Sequence, residues 1–338
     1  MRLLICEYVT GGGFAGSRLP PGLAREGDMM VSALVKDVAA WGGIDIVSVR
    51  DARLAPEEPA GSCRVVPVRE HPWDVWRSAI EEVDAVWPIA PESGGALQRL
   101  SELVIRAGRI LIGSRPAAVS LTTSKRATAE RLAAYGVPVV PTVNALEIAR
   151  RGLPEGANGW VVKPDDGAGA ERTRLFRRAA DLQQALAAVS EIGNLVVQPF
   201  VPGVAASISV LCRDGRARLL SCNLQDIVIE NEAFRFRGCV VGGYEQRRPV
   251  CERLAAAVAA AIPDLWGYVG IDLVDGDSGP LVLEVNPRLT TSYVGLREAI
   301  GVNPAGLVLR LLHDDLAFDE RSPTVRAHRV DVGGLDAA

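Results

Sequence analysis

The chain has 338 residues, 48% of them apolar and 23% charged, with a formal net charge of -4. That length predicts two or three lobes rather than one minimal core, and the acidic balance gives no footprint for nucleic acid. No apolar run of about 18 residues predicts a membrane span. Six cysteines without a C-x-x-C pair and three scattered histidines predict neither a disulfide framework nor a zinc site.

The opening Met1-Arg-Leu-Leu-Ile-Cys6 lacks the apolar core of a signal peptide, which predicts a cytoplasmic location. Residues 2–6 read as a buried strand, followed by the turn Thr10-Gly11-Gly12-Gly13. Met30, Leu34, Val38 and Trp41 recur at helical spacing over 27–41. Strands are predicted at 44–49, 64–68, 85–89 and 110–112, with a helix around 97–107. This alternation predicts an α/β domain with a mostly parallel sheet over residues 1–116.

A second unit, 117–197, opens at Thr122-Thr123-Ser124-Lys125, whose hydroxyls suit the cap of a helix running to about Tyr135. Strands follow at 137–140, 160–163, 174–176 and 195–198, with a helix near 179–189, giving a small α+β unit. The third unit, 198–322, holds antiparallel strands at 207–212 and 218–223. A helix at 253–261, strands at 268–274 and 280–286 and a helix at 303–313 complete it. Residues 323–338 read as a loose tail.

The strongest chemical signal is Gly270-Ile-Asp-Leu-Val followed by Leu283-Glu-Val-Asn-Pro-Arg288. Strand side chains alternate faces, so Glu284 and Asn286 share one face. Leu281, Leu283 and Val285 then take the core face, with Ile271 and Leu273 doing so on the partner strand. Asp272 joins Glu284 only if the connecting loop has an odd number of residues. Two carboxylates and an amide oxygen are hard ligands suited to Mg²⁺, with Mn²⁺ as a substitute, and Arg288 beside them suits a polyanion. An ordinary solvated sheet face is the competing explanation.

Lys125 sits in the first turn of a helix, and Lys163 ends the apolar strand Trp160-Val-Val-Lys163. Behind Lys163 comes Asp165-Asp-Gly-Ala-Gly-Ala-Glu171, where Gly167 and Gly169 let backbone N–H groups approach phosphate. Asp165 and Asp166 are acidic for such a loop and are expected to point outward. No Walker A pattern is present. The segment Gln198-Pro-Phe200-Val201-Pro-Gly203 ends a strand and forms a hinge whose backbone suits an adenine edge.

Taken in order, these pieces resemble the ATP-grasp superfamily over essentially the whole chain. The resemblance implies an N-terminal α/β domain, a small lid and a C-terminal antiparallel domain. It also implies that Lys125, Lys163, Gly167 and Gly169 hold ATP phosphates, and that Gln198, Phe200 and Val201 read adenine. Asp272, Glu284 and Asn286 would hold Mg²⁺, and Arg288 with Lys163 would serve the transferred phosphoryl group. One departure is that Gly203–Ser207 carries no acid for the ribose.

Within the superfamily, Cys6–Phe14, Arg25-Glu-Gly-Asp-Met-Met30 and Glu284–Tyr293 look like the tyramine–L-glutamate ligase family of methanofuran biosynthesis. That places Glu7, Tyr8, Gly12 and Gly13 on the substrate side. The function implied is amide formation from a carboxylate and an amine through an acyl phosphate, with small-molecule partners, no nucleic acid and no membrane; a homo-oligomer is compatible with it. Lid closure would then keep water from the acyl phosphate. The alternatives are another amino-acid or dipeptide ligase of this fold, a non-catalytic ATP-binding module, and a dinucleotide oxidoreductase prompted by Gly11, Gly13 and Gly16.

Overall fold

The computed structural model describes residues 1–55, 63–167, 172–313 and 324–333. The chain opens with β1 (Arg2–Glu7), α1 (Pro21–Trp41), β2 (Asp45–Asp51), β3 (Cys63–Val68) and α2 (Pro72–Glu81). β4 (Ala85–Ile89), α3 (Ala96–Arg106) and β5 (Ile110–Leu111) follow. These strands pair in parallel in the order β3-β2-β1-β4-β5. Their apolar runs are continuous because both faces are covered. Met30, Leu34 and Val38 of α1 cover one face; Trp76 and Ile80 of α2 with Leu100 and Val104 of α3 cover the other. Chain order reverses between β1 and β4, and the carboxyl ends at such a switch point form a natural ligand crevice.

The second segment contains α4 (Pro116–Thr123), α5 (Lys125–Ala134), β6 (Val143–Asn144), α6 (Ile148–Arg151) and β7 (Trp160–Pro164). β8 (Arg174–Phe176), α7 (Ala179–Ala187) and β9 (Leu195–Pro199) end it. The strand expected at 137–140 reduces to a single bridge, Val139 to Val282. Pro138 and Pro141 flank it and have no N–H to extend a ladder.

The third segment contains β10 (Val204–Arg213), β11 (Arg216–Glu230), β12 (Ala233–Val241), α8 (Arg248–Ala261) and β13 (Gly267–Gly276). β14 (Gly279–Asn286), α9 (Leu296–Ile300), α10 (Pro304–Arg310) and β15 (His328–Asp331) close the fold. Among the described residues the second and third segments share one sheet, β14-β13-β10-β11-β12-β8-β7-β9-β6, with β15 on β12. The join is the tip of the β11–β12 hairpin. There the Leu175 N–H donates to Glu232 O (2.7 Å) and the Phe234 N–H to Thr173 O (3.1 Å).

β15 corrects the expectation of a loose tail from residue 323. Val330 and Val332 are buried, and the strand pairs antiparallel with β12 from Gly238–Asp331 to Val241–His328. Two apolar residues spaced by two, set among charged neighbours, gave too weak a signal in the sequence.

α8 covers one face of this sheet, packing Leu254, Ala255 and Val258 on Ile208, Val210, Val269, Ile271 and Leu273. The opposite face is divided. Leu211, Leu220 and Tyr268 share a core with α1, while Asp272, Glu284 and Asn286 lie farther along the same face.

The contact of α1 with β1 turns on Glu7, which is buried at the strand's end. Its carboxylate accepts the Val9 N–H (3.0 Å), the Thr10 N–H (2.5 Å) and the Thr10 hydroxyl (2.6 Å), stapling the glycine turn. Gly27 lets α1 close over it, since a Cβ there would stand 2.9 Å from Glu7 Oε2. Burial outweighs the three hydrogen bonds and pushes the Glu7 carboxyl up to about 7. The folded state then holds a proton that the unfolded chain has released, so stability falls as pH rises from about 4.5 to 7. Urea titrations at pH 5 and pH 7.5 should differ by about 2 kcal/mol from this group, and Glu7→Gln should flatten that slope.

Candidate functional site

The β13–β14 hairpin sets the site. Gly276 pairs with Gly279, so the loop has two residues, an even number. By strict alternation that loop would put Asp272 and Glu284 on opposite faces. The register shifts between Asp272 and Leu273: Leu273 faces Val282 and Asp272 faces Glu284, leaving Leu283 as an extra residue. A bulge of this kind moves one strand's parity by one. Asp272 and Glu284 therefore stand directly opposite, on one face, as required. The same shift corrects the core assignment on β14: Val282 and Val285 are buried, while Leu281 and Leu283 are only half-buried.

Asp272 is held from both sides. Gln225 Nε2 on β11 donates to its Oδ1 (2.7 Å) and Asn286 Nδ2 to its Oδ2 (3.1 Å). Burial first, and the Glu284 charge second, push the Asp272 carboxyl up to about 6. Such crowding marks a place short of positive charge.

Two lysines face it. Lys125 is buried, and its Nζ lies 3.6 Å from Glu284 Oε2. It also donates to the carbonyls of Asp165 (3.4 Å) and Gly167. Lys163, buried at the end of β7, loses more to burial than it gains from Glu284, so its ammonium falls to about 8. Asp272 and Asp165 also act on its charge.

Lys125 is placed by the start of α5. The Ser124 hydroxyl accepts the Ala127 N–H (3.0 Å) as a cap. Asp165, expected to point outward, turns inward instead. Its carboxylate takes the Ser124 hydroxyl (2.7 Å) and the Arg126 N–H (2.9 Å), so an acid sits at a helix N-terminus where it is favoured. Asp166 accepts the Gly94 N–H at 3.2 Å. Gly169 lies outside the described residues.

The hinge is less open than its motif suggested. Gln198 is buried and donates to Thr142 Oγ1 (2.8 Å), so its side chain is committed within the lid. The Phe200 N–H donates to Gly159 O (2.8 Å). Its ring lies 6.4 Å from Phe234 and 4.9 Å from the Arg177 guanidinium. Val201 packs against Gly276.

Arg288 links the sheet to the N-terminal domain. It donates to Glu92 Oε2 (2.9 Å) and to Leu289 O (3.1 Å). Burial opposes its charge, but Glu92, Glu26 and Glu284 outweigh that and hold the guanidinium above its ordinary value.

Lys125, Lys163, Gly167, Asp272, Glu284, Asn286 and Arg288 thus converge. Glu7, Tyr8, Gly12 and Gly13 lie at the carboxyl end of β1 and bond or pack locally. Gly11 meets Val49, Gly12 meets Val68 and Gly13 meets Tyr8 so closely that no Cβ would fit. Those glycines are spent on packing rather than left open to a pyrophosphate. Sequence reasoning missed Gln225, because the strand was ended at 223. It missed Glu92, whose signal was an acid just past a parallel strand's carboxyl end.

The donors fit a divalent cation: two carboxylates and an amide oxygen, with lysines placed for an anionic co-ligand. Mg²⁺ uses one or two carboxylates plus phosphate and water, which this donor set can supply. No helix among the described residues is long and apolar enough to cross a membrane.

Comparison with known proteins agrees with this layout. An ATP-grasp domain matches residues 122–292 and a pre ATP-grasp 3 domain matches residues 44–119. The chain is 21% identical to the tyramine–L-glutamate ligase of Methanocaldococcus fervens, covering 87% of this chain and 89% of that one. It is 25% identical to that of Methanocaldococcus jannaschii over 107 residues, only 31% of this chain and 32% of the relative. An ATP-grasp superfamily protein from Archaeoglobus fulgidus superposes with a TM-score of 0.72 at 24% identity, covering 98% of this chain and 92% of that one. With half of its length matched by the ATP-grasp domain, the chain belongs to the ATP-grasp family of ATP-dependent ligases.

Proposed function

We propose that the protein joins a carboxylate to an amine at the expense of ATP, with L-glutamate and tyramine as the substrate pair. The observation that carries this is the facing of Lys125 and Lys163 against the Asp272–Glu284 pair across the junction of β7, α5 and the β13–β14 hairpin. The substrate pair is supported by the two similar ligases and by the resemblance of Cys6–Phe14, Arg25–Met30 and Glu284–Tyr293 noted in the sequence.

In this reading Lys125, Lys163 and the Gly167 loop hold the triphosphate, and the Phe200 carbonyl with the Val201 backbone meets the base, the Phe200 N–H being taken by Gly159 O. Asp272, Glu284 and Asn286 hold Mg²⁺, which supplies charge neutralisation at the phosphates. The substrate carboxylate attacks the γ-phosphorus; the new C–O–P linkage forms as the bond to ADP breaks. Positioning and fixed positive charge carry such a transfer, and Arg288 stands where the anionic acyl group arrives. The amine then attacks the acyl carbon, phosphate leaves and the nitrogen loses a proton. No nucleophilic side chain is required.

The test is ADP release with L-glutamate, with and without tyramine; turnover that ignores the amine would overturn the reading. Asp272→Ala and Glu284→Ala should each lower that rate by about 10²–10³ with an unchanged circular-dichroism spectrum. Lys163→Met should raise the KM for ATP about tenfold, the worth of one charge-assisted hydrogen bond. Gln225→Leu should leave Asp272 half-supported and raise the Mg²⁺ concentration for half-activation about tenfold. An unchanged Mg²⁺ titration would remove Gln225 from the site.

A further inference from the structure

The ion pair between Arg288 and Glu92 is incomplete. Glu92 is 4% exposed. One of its oxygens accepts from Arg288, while Oε1 is buried without a hydrogen-bond partner among the described residues. Arg288 Nε is in the same condition. A second carboxylate, Glu26 of α1, acts on the same guanidinium and accepts the Thr291 hydroxyl. Glu284 also acts on this guanidinium but has Lys125 at 3.6 Å, so Glu92 and Glu26 are left to share one arginine, a sum of -1.

Their place in the fold is informative. Glu92 stands just beyond the carboxyl end of β4, next to β1, at the switch point of the parallel sheet. Arg288 follows directly on the strand that carries Glu284 and Asn286. The three groups thus occupy the seam between the crevice of the N-terminal domain and the Asp272–Glu284 pair.

A buried carboxylate oxygen without a donor is costly. A water would supply a hydrogen bond but leave the excess charge uncompensated. A primary ammonium supplies three donors and one positive charge. It also frees Arg288, because a guanidinium that must meet an anionic acyl group has to loosen its hold on Glu92. We propose that Glu92 and Glu26, with the Thr291 hydroxyl, form a subsite for the primary ammonium group of a substrate. This rests on the ligase reading and names the place where that reading's cationic group docks. Two groups carry that chemistry: the amine acceptor, and the α-ammonium of an amino-acid donor.

The test separates them. Hydroxylamine traps the acyl phosphate as a hydroxamate without any amine substrate, which gives the KM for the donor alone. Full turnover with tyramine gives the KM for the acceptor, and the KM for ATP is the internal reference. In Glu92→Gln and Glu26→Gln, at least a tenfold rise in the KM for tyramine assigns the subsite to the acceptor. A tenfold rise for L-glutamate but not for glutarate, the same diacid without its ammonium, assigns it to the donor. Unchanged KM values for both in folded variants would overturn the subsite while hydroxamate formation by the unmodified protein keeps the ligase reading intact. Absence of hydroxamate from the unmodified protein would overturn both. Glu26→Gln, at a half-buried helix position, keeps the test decisive if Glu92→Gln lowers Tm too far to assay.

Discussion

Two carboxylates held side by side on a half-buried sheet face repel each other, and the rest of the site is arranged around that repulsion. Asp272 and Glu284 face one another only because Leu283 is an extra residue in β14. Gln225 and Asn286 then tie Asp272 in place, and Lys125 comes within 3.6 Å of Glu284. Lys163 is buried enough to lose affinity for its proton, yet remains within the field of both acids. Removing a partner from such a buried charge group typically costs about 3–5 kcal/mol, so its members have little freedom to drift. A polyanion and a divalent cation are the ligands that such a mixed-charge cradle accepts together.

The lid is tethered to this cradle by more than its connecting chain. Asp165 grips the start of α5 and so fixes Lys125 relative to the end of β7. The β11–β12 hairpin reaches across to β8 and merges the two antiparallel units into one sheet. Lys163 and Asp272 thus lie on strands of one laddered sheet, and the Lys125 N–H is tied to that sheet through Asp165 O (3.1 Å); such elements hold side chains more firmly than loops do.

The N-terminal domain meets the same centre from the other side. The segment Arg25–Met30 shows how one helix serves three contacts. Glu26 reaches Thr291, Gly27 leaves room for Glu7, and Asp28 pairs with Arg50 at 2.8 Å. Tyr293 and Arg297 bind the Asp37 carboxylate on the same helix (2.9 and 3.0 Å). α1 is therefore the common wall of both domains, covering the parallel sheet and the apolar part of the antiparallel one.

The sequence by itself determined the strand–helix alternation of the first domain, the start of α5 and the identities of the charged residues that gather at the centre. Those features are local: apolar periodicity, a capping serine and charges at strand ends can be read within ten residues. Only the tertiary structure decided the parity of β14, because a bulge depends on how two strands register and not on either one alone. It likewise decided the inward turn of Asp165, the commitment of Gln198 to Thr142, and the pairing of Arg288 with Glu92 across 196 positions. Each is a choice among partners distant in the chain, made by burial: a polar group taken out of water must bond to whatever the fold brings beside it.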